Sequence, residues 1–228
     1  VVIGAAAYTV VDQAEDEPEL AMRLNGEATG WLARAARTEG ARFLQISTDY
    51  VFDGCKTAPY VEQDPQSPQS VYGRSKLEGE RRALAEMPEA VIVRTAWVYS
   101  PFGRNFVKTM LALAETRDDL SVVDDQHGNP TSALDLADAC LTIIQTWRDN
   151  PAVGLGGIYH CAGSGETTWC GLARHSLETS RGLGGPFAEV TGIPTADWPT
   201  KAARPANSRL DCRKFARDFC WQEPDWLQ

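Results

Sequence analysis

Tyr72 and Lys76, in the stretch Tyr72-Gly73-Arg74-Ser75-Lys76, have both the chemistry and the spacing of a proton-donating pair. Residues four apart share one face of a helix, so a phenol and an ammonium come side by side. A free tyrosine titrates near ~10 and is a poor acid at neutral pH. A neighbouring cation favours the phenolate and draws the phenol toward the range of a useful general acid. Such a pair gives a proton to a carbonyl oxygen as charge gathers on it. Upstream, Ser47-Thr48-Asp49-Tyr50-Val51-Phe52-Asp53-Gly54 follows the apolar run Phe43-Leu44-Gln45-Ile46. That run has the length of a buried strand. Ser47 and Thr48 then fall at a strand end, where open α/β sheets keep their ligands, and the Thr48 hydroxyl can hydrogen-bond the same carbonyl oxygen. A Tyr and a Lys four apart is a frequent accident by itself; the Ser-Thr pair upstream gives it weight.

The elements that must hold these groups alternate. Val1-Val2-Ile3 reads as a strand. From Pro18 to Thr38, Leu20, Leu24, Ala28, Trp31, Leu32 and Ala35 recur at helical spacing, and Gly40 stops the helix. Arg42 to Ile46 is the strand that feeds Ser47, and a helix runs from Tyr72 to Ala85 with Pro88 beyond it. Ala90 to Arg94 reads as a buried strand, Asn105 to Glu115 as a helix and Leu120 to Val123 as a short strand. Ser132 to Arg148 is amphipathic, with Leu136, Cys140, Ile143, Ile144 and Trp147 on one side. Gly157 to His160 reads as a strand, Thr168 to Leu183 as a helix, and Cys212 to Phe219 as a last short helix after a mixed, Pro-rich region. This alternation predicts an α/β fold with a doubly wound parallel sheet and right-handed crossovers.

Composition narrows the function classes. The 228 residues carry a net charge of −9 with no Lys/Arg-rich run, which argues against a nucleic-acid partner. No apolar run approaches the ~20 residues of a membrane span, and Val1-Val2-Ile3-Gly4 shows no basic leader, so the cytoplasm is the expected compartment. The six cysteines include no Cys-x-x-Cys pair, and with three scattered histidines they make a poor zinc set. They read as free, mostly buried thiols.

The chain resembles the extended short-chain dehydrogenase/reductases and, within them, the dTDP-4-dehydrorhamnose reductase family. The matching stretches are Ala5 to Asp12, Ser47 to Gly54, Tyr72 to Lys76, Arg94 to Tyr99, Asp125 to Thr131 and Arg204 to Leu210, in the family's order and over nearly the whole length. Tyr-x-x-x-Lys marks only the superfamily, whereas Ser-Thr-Asp-Tyr-Val-Phe-Asp-Gly and Arg-Pro-x-Asn-Ser are far more restrictive. The resemblance implies a Rossmann-like NAD(P)-binding domain over residues 1–153, with a smaller substrate lobe over 154–228 interleaved with it. It implies NADPH, with NADH possible, and reduction of the C4 ketone of a dTDP-linked 4-keto-6-deoxy sugar.

The resemblance also assigns residues. Thr48, Tyr72 and Lys76 would be catalytic. Ala6, Ala7, Thr9 and Ser47 would lie along the cofactor together with Tyr72 and Lys76, the last reaching the nicotinamide ribose. Val11, Asp49, Tyr50, Phe52, Trp97, Asn105 and Arg204 would face the substrate, Trp97 with a flat apolar surface for the sugar and Arg204 with a fork for the diphosphate. Gly4 departs from the Asn expected at its position. Some members of the family dimerise around a magnesium ion held by glutamates; Leu134 stands where such an acid would align, so no metal is expected and a homodimer is left open. The sequence holds no G-x-x-G-x-x-G turn to cradle a pyrophosphate. Gly154-x-Gly156-Gly157 and Gly182-x-Gly184-Gly185 come late and lack the strand before and helix after, so the chain is expected to begin inside the fold. Two alternatives use the same scaffold: a non-catalytic regulatory subunit, against which Thr48, Tyr72 and Lys76 speak, and a sugar-nucleotide epimerase or dehydratase, against which Trp97 and the Ser47–Gly54 stretch speak.

Overall fold

The computed structural model describes residues 1–150 and 156–227. The expected domain boundary at residues 153–154, and Gly154 itself, lie outside the described residues. The chain opens with β1 (Val2–Gly4), then α1 (Val11–Ala14) and α2 (Pro18–Ala21). A π-helical turn over Met22–Glu27 joins α2 to α3 (Ala28–Thr38). Next come β2 (Phe43–Thr48), a 3-10 turn over Asp49–Val51, α4 (Val71–Glu86), β3 (Val91–Thr95) and β4 (Val98–Tyr99). α5 (Phe106–Ala114), β5 (Asp119–Val123), β6 (His127–Gly128), β7 (Thr131–Ser132) and α6 (Ala133–Asp149) follow. The last elements are β8 (Ile158–His160), β9 (Thr167–Thr168), α7 (Trp169–Gly182), β10 (Glu189–Ile193) and α8 (Arg213–Phe219).

The main sheet has the order β1-β2-β3-β8, and its strands are parallel throughout. Both faces are covered, which is why β2 and β3 read as continuous apolar runs rather than alternating ones. Phe43 and Ile92 point to one face, where they pack on Ala33 and Ala36 of α3 and Ala83 of α4. Leu44, Val91 and Val93 point to the other, against Leu136, Ala139 and Ile143 of α6 and Phe215 and Phe219 of α8. The expected doubly wound α/β architecture is therefore present.

Glycines explain two details of packing. Gly40 has φ +61 and ends α3 in the left-handed region, with Ala41 N–H donating to Ala36 O at 2.8 Å. In α4, a Cβ on Gly79 would lie 2.2 Å from the Asn25 carbonyl, so the absence of a side chain lets α4 seat on the π turn.

A second body is built from both halves of the sequence. β5 pairs in parallel with β10. Met110 and Ala114 of α5, Leu120 and Val122 of β5, and Cys170, Ala173 and Leu177 of α7 form its core. Meanwhile β8 returns to the main sheet and α8 packs beneath it. This second body draws on residues on both sides of the expected boundary. β10 was not legible in the mixed region: Glu189-Val190-Thr191-Gly192-Ile193 is half-buried with no apolar run, because only one neighbour covers it. The six cysteines are free, four of them buried.

Candidate active site

Thr48 ends β2 and caps the short turn after it, accepting the Tyr50 N–H at 3.2 Å. Ser70 caps α4 by accepting the Gly73 N–H at 3.1 Å. A Cβ on Gly73 would sit 2.2 Å from the Tyr50 carbonyl, so glycine here lets the first turn of α4 rest directly on the Asp49–Val51 turn. That contact brings Tyr72 against Thr48, edge-to-face with the ring of Tyr50 at 5.4 Å. Lys76, one turn along α4 and buried, donates from Nζ to the Ile46 carbonyl at 2.7 Å. The three expected catalytic side chains therefore converge at the C-terminal end of β2.

Electrostatics there differ from expectation in one respect. Burial raises the Tyr72 phenol above its ordinary value, a hydrogen bond with Thr48 acts the other way, and Asp49 and Tyr50 add to the rise. Lys76 does not supply the pull toward neutrality that the Tyr-Lys spacing suggested, because its ammonium points at the β2 carbonyl. Burial brings Lys76 itself down to about 8, against an opposing pull from Glu80. The pair is a neutral phenol beside an amine that titrates near working pH.

Beneath it lies a buried ion pair. Arg94 and Glu80 meet at 2.9 Å (Nε to Oε1) and 2.7 Å (Nη2 to Oε2), with the Arg94 residue 0% and the Glu80 residue 2% exposed. Ser47, expected to touch the cofactor, instead turns inward and donates to Glu80 Oε1 at 2.5 Å. The reason is strand parity: Ser47 shares the α4 face with Phe43 and Gln45, whereas Thr48 leaves the sheet at its end.

Asp49, expected to face substrate, is 4% exposed and accepts the Thr48 hydroxyl at 3.0 Å on Oδ1. It also takes a hydrogen bond from the Ser208 side chain, and burial lifts its carboxyl to about 6. Phe52 is largely core, stacked on Tyr60 at 4.2 Å with the Arg94 guanidinium 5.1 Å above its ring, and shows one edge to a small hollow beside Tyr50 and Pro205.

A cleft of about 340 Å³ opens next to this centre. Asp12, Tyr50 and Arg204 form one wall, and Phe106, Met110, Val122 and Trp169 of the lobe form the other, with Trp198 and Thr200 also lining it. Arg204 donates to the Tyr50 hydroxyl at 3.1 Å and to Asp12 Oδ2 at 2.5 Å. Of the expected substrate residues, Tyr50 and Arg204 line this cleft. Val11 does not: it opens α1, and its neighbour Asp12 faces inward. Asn105 does not: it is the N-cap of α5, accepting from Lys108 N–H at 3.1 Å and donating to the Ser100 carbonyl at 2.6 Å. That cap fixes the helix that presents Phe106 and Met110. Trp97, held at φ 49, stacks on Trp169 at 3.7 Å with an interplanar angle of 12°, and Gly128 packs against its indole. One face of Trp97 is therefore covered, and Trp169 carries the aromatic surface into the cleft. Trp169 carried only a weak sequence signal, a tryptophan directly after the Thr168 helix cap; Trp198 carried none.

The loop from Ala5 to Val10 joins β1 to α1 at the same edge of the sheet and carries Ala6, Ala7 and Thr9, half-buried or exposed. Asn25 from the π turn clasps it, accepting from Tyr8 N at 2.7 Å and donating to Tyr8 O at 3.0 Å and to Ser75 Oγ at 2.9 Å. Small side chains on a pinned loop, next to Tyr72 and Lys76, suit close approach of a nicotinamide riboside, while the pyrophosphate cradle is not among these residues. Among the described residues no group of three His, Cys, Asp or Glu could hold a metal ion, and Leu134 is exposed on the first turn of α6.

The comparisons agree with one another. A family model described as the RmlD substrate binding domain matches residues 1–228. The dTDP-4-dehydrorhamnose reductase of Sinorhizobium fredii is 46% identical over 226 residues, covering 99% of this chain and 76% of that protein. The Salmonella typhimurium enzyme of the same name is 44% identical over 228 residues, again covering 99% and 76%. Among solved structures, a dTDP-4-dehydrorhamnose reductase from Clostridium acetobutylicum superposes with a TM-score of 0.89 at 40% identity, covering 99% of this chain and 76% of that one. One from Bacillus anthracis, in complex with NADP, superposes at 0.91 and 35% identity with the same coverage. With the Tyr72–Lys76 helix set on Thr48 and the match running from end to end, the chain belongs to the dTDP-4-dehydrorhamnose reductase family.

Proposed function

We propose that this chain carries the catalytic and substrate-binding parts of an NADPH-dependent reductase that converts the C4 ketone of dTDP-4-dehydro-6-deoxy-L-mannose to the alcohol of dTDP-L-rhamnose. The observation that carries this reading is the meeting of Thr48, Tyr72 and Lys76 beside a cleft with an arginine at one wall and tryptophans at the other. When bound, the nicotinamide supplies the hydride that the protein itself cannot. The chain's own residues supply position and protons. Tyr72 gives its phenolic proton to the ketone oxygen. Lys76, fixed by the Ile46 carbonyl one turn along α4 from Tyr72, offers a cation to a ribose hydroxyl. Arg204 offers a planar fork to a diphosphate, already aimed by Tyr50 and Asp12. Trp169, backed by Trp97, gives a rigid apolar platform of the kind sugars and bases stack on. The buried phenol, the cation and the strand-end hydroxyl favour the enzyme over a regulatory subunit, because binding alone needs none of them.

We place the reaction in the cytoplasm, where NADPH and nucleotide sugars are at hand; among the described residues no helix is long and apolar enough to cross a membrane. The cleft is tested with Trp169→Ala in the full-length protein. Loss of the stacked platform is expected to raise KM for the sugar nucleotide about tenfold, the upper end of an aromatic contact, with kcat changed much less. An unchanged KM would place the substrate elsewhere.

A further inference from the structure

Thr48 is asked to do two things with one hydrogen. To help Tyr72 polarise a ketone, its hydroxyl must donate to the substrate oxygen. A hydroxyl has one O–H to give and two lone pairs to receive. In this structure one lone pair takes the Tyr50 N–H at 3.2 Å, the single hydrogen is directed at Asp49 Oδ1 at 3.0 Å, and the Tyr72 hydroxyl is a further partner, one that leaves Thr48 when it turns to a ketone. While Asp49 is ionised it can only accept, so it holds that hydrogen and Thr48 has none for a ketone. If Asp49 carries a proton, the direction reverses. Asp49 then donates into the second lone pair of Thr48, and the Thr48 hydrogen is free to turn toward the cleft.

We propose that Asp49 is a positioning residue for ketone reduction, and that its protonated form orients Thr48 as the second hydrogen-bond donor beside Tyr72. The inference rests on the reductase reading of Thr48 and Tyr72. No atom passes from Asp49 to substrate: its proton stays on its own carboxyl, shared in a hydrogen bond with Thr48, while Tyr72 alone transfers one.

Burial raises the share of the neutral acid. Asp49 is buried, and its Oδ2 has no hydrogen-bond partner in the structure, an arrangement costly for a carboxylate and mild for a carboxylic acid. The groups that face it are Thr48 and Tyr50 on its own turn, Tyr72 from α4, and Ser208 from the segment after Arg204. The nearest charges, Arg204 and Asp12, act on Tyr50. Ser208 is itself fixed, its N–H donating to the His127 carbonyl at 2.7 Å. Burial thus lifts the Asp49 carboxyl to about 6, against hydrogen bonds from Ser208, Thr48 and the backbone of Asp49 and Tyr50 that favour the ionised form.

The sign of the pH effect follows. Asp49 is protonated below its pKa and loses the proton as pH rises, so kcat falls as pH passes upward through that value, levelling at the rate Tyr72 sustains without Thr48. Asp49→Asn in the full-length protein copies the protonated state, because an amide N–H can donate to Thr48 and the side chain carries no charge at any pH. The expected result is a wild-type kcat profile with a descending limb that Asp49→Asn lacks, the variant holding the low-pH rate across the range. Carbon-13 NMR of the Asp49 carboxyl should show titration at the same pH as the limb. A limb that persists in Asp49→Asn, or a carboxyl ionised throughout the active range, overturns the proposal. A Tyr72→Phe control separates the failures: full activity there would sink the reductase site itself, whereas an inactive control with an unchanged Asp49→Asn profile sinks only the role of Asp49.

Discussion

Tyr72→Phe should lower sugar-dependent NADPH oxidation by roughly a thousandfold, within the span usual for loss of a general acid, and leave KM for the sugar nucleotide nearly unchanged. The ring remains, so the edge-to-face contact with Tyr50 at 5.4 Å and the seat of α4 on the Asp49–Val51 turn are kept. Only the hydroxyl is lost, and with it the proton for the ketone oxygen. Because burial holds the phenol above its ordinary value, the group is fully protonated at working pH and always ready as an acid. Its conjugate base is correspondingly unfavourable, since the Lys76 ammonium is directed at the Ile46 carbonyl and not at the phenol. Steady-state kinetics on purified full-length protein decide the point. Turnover within a few-fold of wild type would remove Tyr72 from the chemistry.

The second large effect is on stability. Arg94→Met should cost about 3–5 kcal/mol, the usual result of leaving a buried charge without its partner. Arg94 donates to both oxygens of Glu80, at 2.9 and 2.7 Å, and both residues are almost wholly enclosed. Their pairing ties α4 to β3 and, through Ser47, to β2. For a chain of this size that loss corresponds to a fall in Tm of roughly 10 °C. Adding Glu80→Met to Arg94→Met should recover much of it, since an apolar pair of similar volume leaves no orphaned charge. Thermal unfolding of the single and double variants is the check. A double variant less stable than either single one would mean that the pair stabilises through geometry that a methionine pair cannot replace.

Much of this was legible before any coordinates. Apolar runs bounded by turns located β2 and β3, and helical spacing located α3 and α6, because each buries one face and must show a period. Tyr72 and Lys76 were legible for the same reason: a four-residue interval on a helix fixes a shared face whatever surrounds it. Thr48 followed from lying two steps past a buried run. What failed was whatever depends on partners distant in sequence. Ser47 and Thr48 are adjacent, yet the parity of β2 sends one to Glu80 and leaves the other at the site. Trp97 has the chemistry of a sugar platform, but Trp169 stacks on it from more than seventy residues away. Trp198 reaches the cleft from a segment with no periodic pattern. Asn105, expected near the substrate, caps α5, a role that local sequence also permits. The π turn at Met22–Glu27 lies inside a region whose apolar spacing reads as ordinary α-helix, and only its packing on α4 at Gly79 sets it apart.

The proposed function turns on delivery of hydride to C4 of a dTDP-linked sugar at the site built on Thr48, Tyr72 and Lys76. Full-length protein supplied with dTDP-4-dehydro-6-deoxy-L-mannose and NADPH deuterated at the nicotinamide C4 tests it by mass spectrometry and NMR of the product. The mechanism predicts one deuterium at sugar C4 in dTDP-L-rhamnose, and none formed at a comparable rate by Tyr72→Phe. Deuterium at another ring carbon, or product without deuterium, would contradict it.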